Sequence, residues 1–237
     1  MTEIKFTIDG RECLARPGQT IVEAARDSGI YIPVLCNDPS LKPSGSCRVC
    51  TVRCNGRYAA ACTQPVAEGM TVENNVPDLE DLRRALIEML FVEGNHFCPA
   101  CEKSGNCELQ ALAYRFRMVV PRFPYQFPNR RPDGSDPKIF LELNRCIQCR
   151  RCILAVKTSD GKNIFGMLSR SRTTRIDKDP ALLAGLSEEE ARKAMELCPV
   201  GAIIRKRIGF AVPIGRRKFD SRPIGSDLES SPKGGRS

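Results

Sequence analysis

The chain has no tryptophan, only four tyrosines and a single histidine. With so few aromatic rings, platforms on which nucleic-acid bases could stack are scarce. A formal charge of +9 would otherwise invite a nucleic-acid partner. Residues 205–237, however, hold nine Lys or Arg against three Asp or Glu, so most of the excess sits in one terminal segment. No apolar run approaches the ~20 residues that a membrane span needs, so no membrane insertion is expected. The opening MTEIKFTIDG has neither a basic n-region nor an apolar h-region. A reducing cytoplasm is therefore expected, where closely spaced cysteines mark metal or redox sites rather than disulfides. Also missing are a Gly-rich dinucleotide fingerprint, a flavin motif, a nucleophile and base set, and the paired CxxC motifs that would hold a nickel–iron centre. No catalytic residue is assigned, and the chain is expected to turn over no substrate by itself.

What the chain does have is thirteen cysteines in 237 residues, enough length for two or three small domains. The only histidine lies in the densest group, His96-x-Cys98-x2-Cys101-x5-Cys107, with Pro99 and Gly105 to turn the backbone. Thiolate and imidazole suit tetrahedral zinc and equally the four corners of an iron–sulfur cubane. Spacing alone leaves both open.

In chain order, Ile4, Phe6 and Ile8 alternate with polar residues, and Asp9-Gly10 turns into Glu12 to Arg16, a β-hairpin. Thr20 and Glu23 form a capping box for a helix whose apolar face carries Ile21, Val22, Ala24 and Ala25. A Gly-, Pro- and Ser-rich loop with Cys36, Cys47 and Cys50 leads into a strand over Val49 to Cys54, which Asn55-Gly56 turns back toward Cys62.

Cys36-x10-Cys47-x2-Cys50-x11-Cys62 on this frame, with GSCRVCTVRCNGRYAAACTQPVAEGMTV, resembles the β-grasp 2Fe–2S ferredoxin domain at the start of the large iron–sulfur subunit of respiratory NADH dehydrogenases. The resemblance implies a 2Fe–2S cluster on Cys36, Cys47, Cys50 and Cys62. Cys54 competes for the fourth place, but it lies inside a strand just before a tight turn, and with Cys13 it reads as a buried small hydrophobe. Amides of Gly45, Ser46 and Arg48 are candidates to point at the sulfurs.

A helix is expected from an N-cap at Asp78, with Leu79, Leu82, Leu86, Met89 and Leu90 at helical spacing, delivering His96 to its loop. A second amphipathic stretch, Leu109 to Phe116, follows Cys107. CPACEKSGNCELQ resembles the one-His, three-Cys 4Fe–4S motif of the same family, which implies His96, Cys98, Cys101 and Cys107 as ligands. Relatives in NADH dehydrogenases and iron-only hydrogenases usually have three residues between the His and the first Cys, whereas here only Phe97 intervenes.

Residues 121–137 hold five prolines and read as a linker or surface belt. Ile139 to Leu143 reads as a strand before Cys146-x2-Cys149-x2-Cys152, and Ser187 and Glu190 cap a helix ending at Cys198-Pro199, with a small strand from Gly201 to Ile204. Such a triplet with a remote Cys-Pro is the bacterial ferredoxin pattern, implying a second 4Fe–4S cluster on Cys146, Cys149, Cys152 and Cys198. Arg145, Arg150 and Arg151 beside these ligands read as solvated or docking charges. The tail has little that could form a core, and the final SSPKGGRS reads as disordered. Its VPIGRRKFDSRPIG resembles the end of the small electron-transfer subunit in the diaphorase half of NAD-reducing nickel–iron hydrogenases, where the chain stops instead of continuing into a further domain.

The expected architecture is α+β: a β-grasp 2Fe–2S domain over 1–77, a helical His/Cys segment over 78–120, a Pro-rich linker over 121–137, a bacterial-ferredoxin-like 4Fe–4S domain over 138–204 and a basic tail over 205–237. The resemblance implies a cytoplasmic iron–sulfur relay between a nickel–iron hydrogenase module, with its small and large subunits, and an FMN/NAD-binding subunit. Rival readings are the equivalent subunit of a formate dehydrogenase or NADH dehydrogenase, a redox-sensing nucleic-acid binder, and a zinc-structured interaction protein.

Overall fold

The computed structural model describes residues 3–208 and 210–229; the final SSPKGGRS lies outside them. Strand β1 (Ile4–Ile8) pairs antiparallel with β2 (Arg11–Ala15) across the Asp9-Gly10 turn, where both residues have positive φ. Helix α1 (Ile21–Asp27) starts at a complete Thr20/Glu23 capping box and lays Ile21, Val22, Ala24 and Ala25 on the sheet. Strands β3 (Thr51–Cys54) and β4 (Arg57–Ala60) form the second hairpin, so β3 begins two residues later than its sequence suggests.

The sheet is completed by β5 (Thr71–Glu73), a strand the periodicity did not reveal. It sits at the centre of the order β2-β1-β5-β3-β4, parallel to β1 and antiparallel to β3. Three residues are too few for a period-2 pattern to stand out, and the pairing is non-local.

Helix α2 (Pro77–Val92) corrects two expectations. Its N-cap is Val76, without a side-chain cap, and Pro77 occupies the first turn, where its missing N–H costs nothing. Asp78 instead accepts from Tyr58 and pairs with Arg53. The buried face runs through Leu79, Arg83, Ile87, Glu88 and Val92, while Met89 is exposed. The two terminal nitrogens of Arg83 donate there to the carbonyls of Thr51 and Asn74 and to the Asn74 side chain, which rivets α2 to the sheet.

Helix α3 (Glu108–Arg115) buries Leu109, Leu112 and Ala113 in a second core shared with the C-terminal half. The proline-rich stretch lies over the end of α2, where the Gln126 amide bonds the Val92 carbonyl and Arg122 pairs with buried Glu88. Strand β6 (Ile139–Leu141) precedes the cysteine triplet, whose last member, Cys152, lies in the short helix α4 (Arg151–Ala155). A further hairpin, β7 (Phe165–Leu168) and β8 (Arg175–Lys178), and helix α5 (Pro180–Ala184) precede α6 (Glu188–Leu197), which begins at the Ser187/Glu190 capping box. Strand β9 (Ile203–Arg205) returns antiparallel to β6.

The tail is more than a basic extension. Buried Arg217 donates to the carbonyls of Glu102, Ser104 and Val212, the Phe219 amide bonds the Gly105 carbonyl, and the Lys218 amide bonds Asn106. Helix α7 (Ser226–Glu229) brings Glu229 to Arg115 on α3. The tail therefore straps the loop that carries Cys101 and Cys107.

Candidate metal centres

Twelve donors fall into three groups. In the first, Cys36 lies in the loop after α1, Cys47 and Cys50 precede β3, and Cys62 follows β4. The hairpin closes on itself here, since the Ala61 amide bonds the Cys50 carbonyl. The Cys36 amide donates to Cys47 Sγ at 3.4 Å, and thiol contacts run from Cys36 to Cys47 and Cys62 and from Cys50 to Cys62. Hydrogen bonds from Cys47 and Cys62 hold the Cys36 thiol well below its ordinary range, whereas Cys47 and Cys62, the partners that keep their protons, are pushed up. Contact with Cys62 brings Cys50 to about 7. One thiolate is thus already favoured before any metal arrives, because its neighbours donate to it. The amides that reach these sulfurs include those of Cys36, Cys47 and Val49. Gly45 and Arg48 shape the loop instead, both at positive φ, 63° and 60°. Cys54, raised by burial, and Cys13, which donates to the Arg11 carbonyl, lie in the sheet core.

In the second group, His96, Cys98, Cys101 and Cys107 line one cavity with Phe91, Arg145 and Gly201. Cys107 is the N-cap of α3, and its sulfur accepts from the Gln110 amide at 3.4 Å. Burial pushes this thiol up to about 12, so a proton must leave when a metal binds. The His96 imidazole is lowered to about 4, first by burial, against a backbone hydrogen bond to Leu90. It is therefore neutral near pH 7. Nε2 is buried with no partner among the described residues. A ring with one nitrogen tied to backbone and the other bare, in a cavity lined also by three thiols, has the chemistry of a candidate ligand. Two glycines make room for this group. A Cβ on Gly94 would fall 2.3 Å from His96 Nε2, and one on Gly201 would fall 2.8 Å from Cys101 Sγ.

In the third group, Cys146, Cys149, Cys152 and Cys198 line an apolar cavity with Leu141, Ile176 and Val200. Gln148 and Arg150 adopt left-handed φ of 55° and 64°, and the amides of Gln148, Arg151 and Ile153 reach the sulfurs of Cys146, Cys149 and Cys152. Successive amides folded over one concavity favour negative charge there. Burial raises all three thiols, Cys146 to about 11. The three flanking arginines are not alike. Arg150 is exposed, but Arg145 pairs with Glu102 at 2.6 Å, and Arg151 is buried on Glu108. The reading of Arg145 and Arg151 as solvated charges is corrected: each has partners more than 40 residues away in sequence, which spacing could not reveal.

Among the described residues no three His, Cys, Asp or Glu side chains are placed to hold a single ion. The donors of the second and third groups instead surround cavities, and donors distributed around a volume suit a multi-iron cluster.

Comparison with known proteins finds three family matches along the chain. A family profile described as a 2Fe-2S iron-sulfur cluster binding domain matches residues 1–77. That of the NADH-ubiquinone oxidoreductase-G iron-sulfur binding region matches 83–122, and that of the NADH-quinone oxidoreductase subunit 3 ferredoxin-like domain matches 136–204. Fold and profiles together define an iron–sulfur protein of an oxidoreductase complex, with both 2Fe–2S and 4Fe–4S binding regions. The chain is 46% identical over 222 residues to the gamma subunit of the NAD-reducing hydrogenase HoxS of Cupriavidus necator, covering 93% of this chain and 95% of the relative. It belongs to that family of hydrogenase subunits. A chain in the crystal structure of an NAD+-reducing [NiFe]-hydrogenase in the H2-reduced state superposes with a TM-score of 0.87 at 42% identity, covering 94% of this chain and 96% of that one. The NADH-quinone oxidoreductase G 2 subunit of Rhizobium meliloti is 34% identical over 85% of this chain, which spans 24% of that longer protein.

Proposed function

We propose that this chain is the iron–sulfur electron relay of an NAD-reducing hydrogenase, carrying one 2Fe–2S and two 4Fe–4S clusters. Cys36, Cys47, Cys50 and Cys62 hold the first, His96, Cys98, Cys101 and Cys107 the second, and Cys146, Cys149, Cys152 and Cys198 the third. The segments 1–77, 78–120 and 138–204 are the units built around them, with 121–137 as linker and 205–237 as a basic tail. The observation that carries the reading is the bare, buried Nε2 of His96, whose ring lines one cavity with three thiols, in a chain alike along nearly its whole length to the gamma chain of a hydrogenase. That likeness also favours a hydrogenase over the formate or NADH dehydrogenase readings.

Bound clusters supply one-electron carriers. The protein's part is to hold ligands in place, exclude water and set the charge around each centre. Apolar walls around the third group and amides on its sulfurs do this. The second and third groups abut through Gly201 against Cys101, so consecutive carriers would be held by one rigid contact. The partners are an FMN/NAD-binding subunit on one side and the hydrogenase small and large subunits on the other, in the cytoplasm. The third group faces the hydrogenase, and the second lies between it and the flavin side. No helix among the described residues is long and apolar enough to cross a membrane.

The test is Cys149→Ser in the whole complex. Hydrogen-driven NAD reduction should be lost while NADH-to-dye activity persists. Retention of the first with loss of the second would reverse the order.

A further inference from the structure

Arg151 has the least expected surroundings of any charged side chain near the three groups. Only 2% of the residue is exposed. Its guanidinium forks onto Glu108 at 2.6 and 2.8 Å, donates to the Asn37 carbonyl at 2.8 Å and reaches the Leu197 carbonyl at 3.4 Å, with Asp38 at 3.8 Å. Asn37 follows Cys36, Glu108 follows Cys107 and Leu197 precedes Cys198. Arg151 itself precedes Cys152, and its own amide reaches Cys149. One side chain thus contacts the immediate chain neighbour of a proposed ligand in all three groups. Its Nε is buried without a partner among the described residues.

We infer that Arg151 is a positioning residue that ties the three ligand loops together and, with the partly buried Glu108 and Asp38, forms one charge set acting on the potentials of all three centres. The inference rests on the proposed three-cluster reading. A guanidinium stays protonated in a protein, and its planar fork can bond a carboxylate and two carbonyls at once, which a lysine ammonium does less well. A positive charge close to a cluster favours its more negative, reduced form, and a carboxylate opposes it. The guanidinium is buried and the two carboxylates are partly buried, so solvent screens the set less than it would surface charges. Removing the cation leaves Glu108 and Asp38 uncompensated beside the ligand loops, and removing Glu108 leaves the cation in excess.

The experiment is an EPR-monitored redox titration of the whole purified complex as wild type, Arg151→Gln and Glu108→Gln. The wild type must first give three separate cluster signals; their absence would overturn the three-cluster reading itself. Given those signals, Arg151→Gln is expected to move all three midpoint potentials downward and Glu108→Gln to move them upward. A residue with a merely structural role would lower cluster occupancy without opposite shifts in the two variants. Unchanged potentials, or a shift at one cluster only, would overturn the inference. Should Arg151→Gln not assemble, Glu108→Gln, which keeps an acceptor for Arg151, decides it by the same criterion.

Discussion

The backbone amide of Glu108 donates to the carbonyl of Pro199 at 2.8 Å. Glu108 follows Cys107 and Pro199 follows Cys198, so this bond joins the His/Cys loop to the ferredoxin-like segment through residues adjacent to one proposed ligand of each. With Cys101 against Gly201, the two candidate 4Fe–4S sites share a wall.

That wall has no room for a methyl group. Gly201→Ala would place a Cβ 2.8 Å from Cys101 Sγ and 3.1 Å from Lys103 Cβ. Iron content should fall, with loss of a 4Fe–4S EPR signal. Gly166→Ala, whose Cβ would meet nothing within 4 Å, should retain full iron.

Cys62 and Cys54 are separated by the same criterion of contact. Cys62→Ser should abolish the 2Fe–2S signal and leave both 4Fe–4S signals, because Cys62 touches Cys36 and Cys50. Cys54→Ser should keep all three signals, visible in EPR at two temperatures, and cost stability only through a hydroxyl in an apolar core, about 1–3 kcal/mol.

His96 gives a pH dependence. Its imidazole titrates near 6.5 in an unfolded chain and at about 4 when folded, first because of burial. Between these values the unfolded chain binds more protons. Stability is therefore complete above pH 6.5 and declines as the pH falls toward 4. In iron-free protein, denaturant unfolding should show an acid loss on the order of 3 kcal/mol that His96→Gln lacks. Equal pH profiles for the two would contradict the buried, neutral imidazole.

Glu88 is 1% exposed and meets Arg122, which projects from the proline-rich belt. Arg122→Ala leaves a buried carboxylate without its counter-charge and should lower the thermal midpoint. Glu88→Gln in the same background should restore part of the loss.

Much of this architecture was legible because it is local. The Thr20/Glu23 and Ser187/Glu190 capping boxes each close over three residues, and the Asp9-Gly10 and Asn55-Gly56 turns need only their own positive φ. Cysteine spacing was readable for the same reason, since most donors of a loop lie within a dozen residues. What stayed hidden depends on distant partners. Strand β5 is defined by pairing with β1 and β3, and the buried face of α2 is rotated by what Arg83 and Glu88 find on neighbouring elements. Arg151 meets residues 43 and 114 positions away. The tail reads as a polar extension until Arg217 is seen buried under the Cys101 loop.

The most direct measurement of the central claim is anaerobic purification of the complex, followed by metal and flavin analysis and low-temperature EPR. The account predicts a brown protein that co-purifies with nickel- and flavin-bearing subunits and shows one 2Fe–2S and two 4Fe–4S signals from this chain. A colourless chain with stoichiometric zinc in place of iron would contradict it.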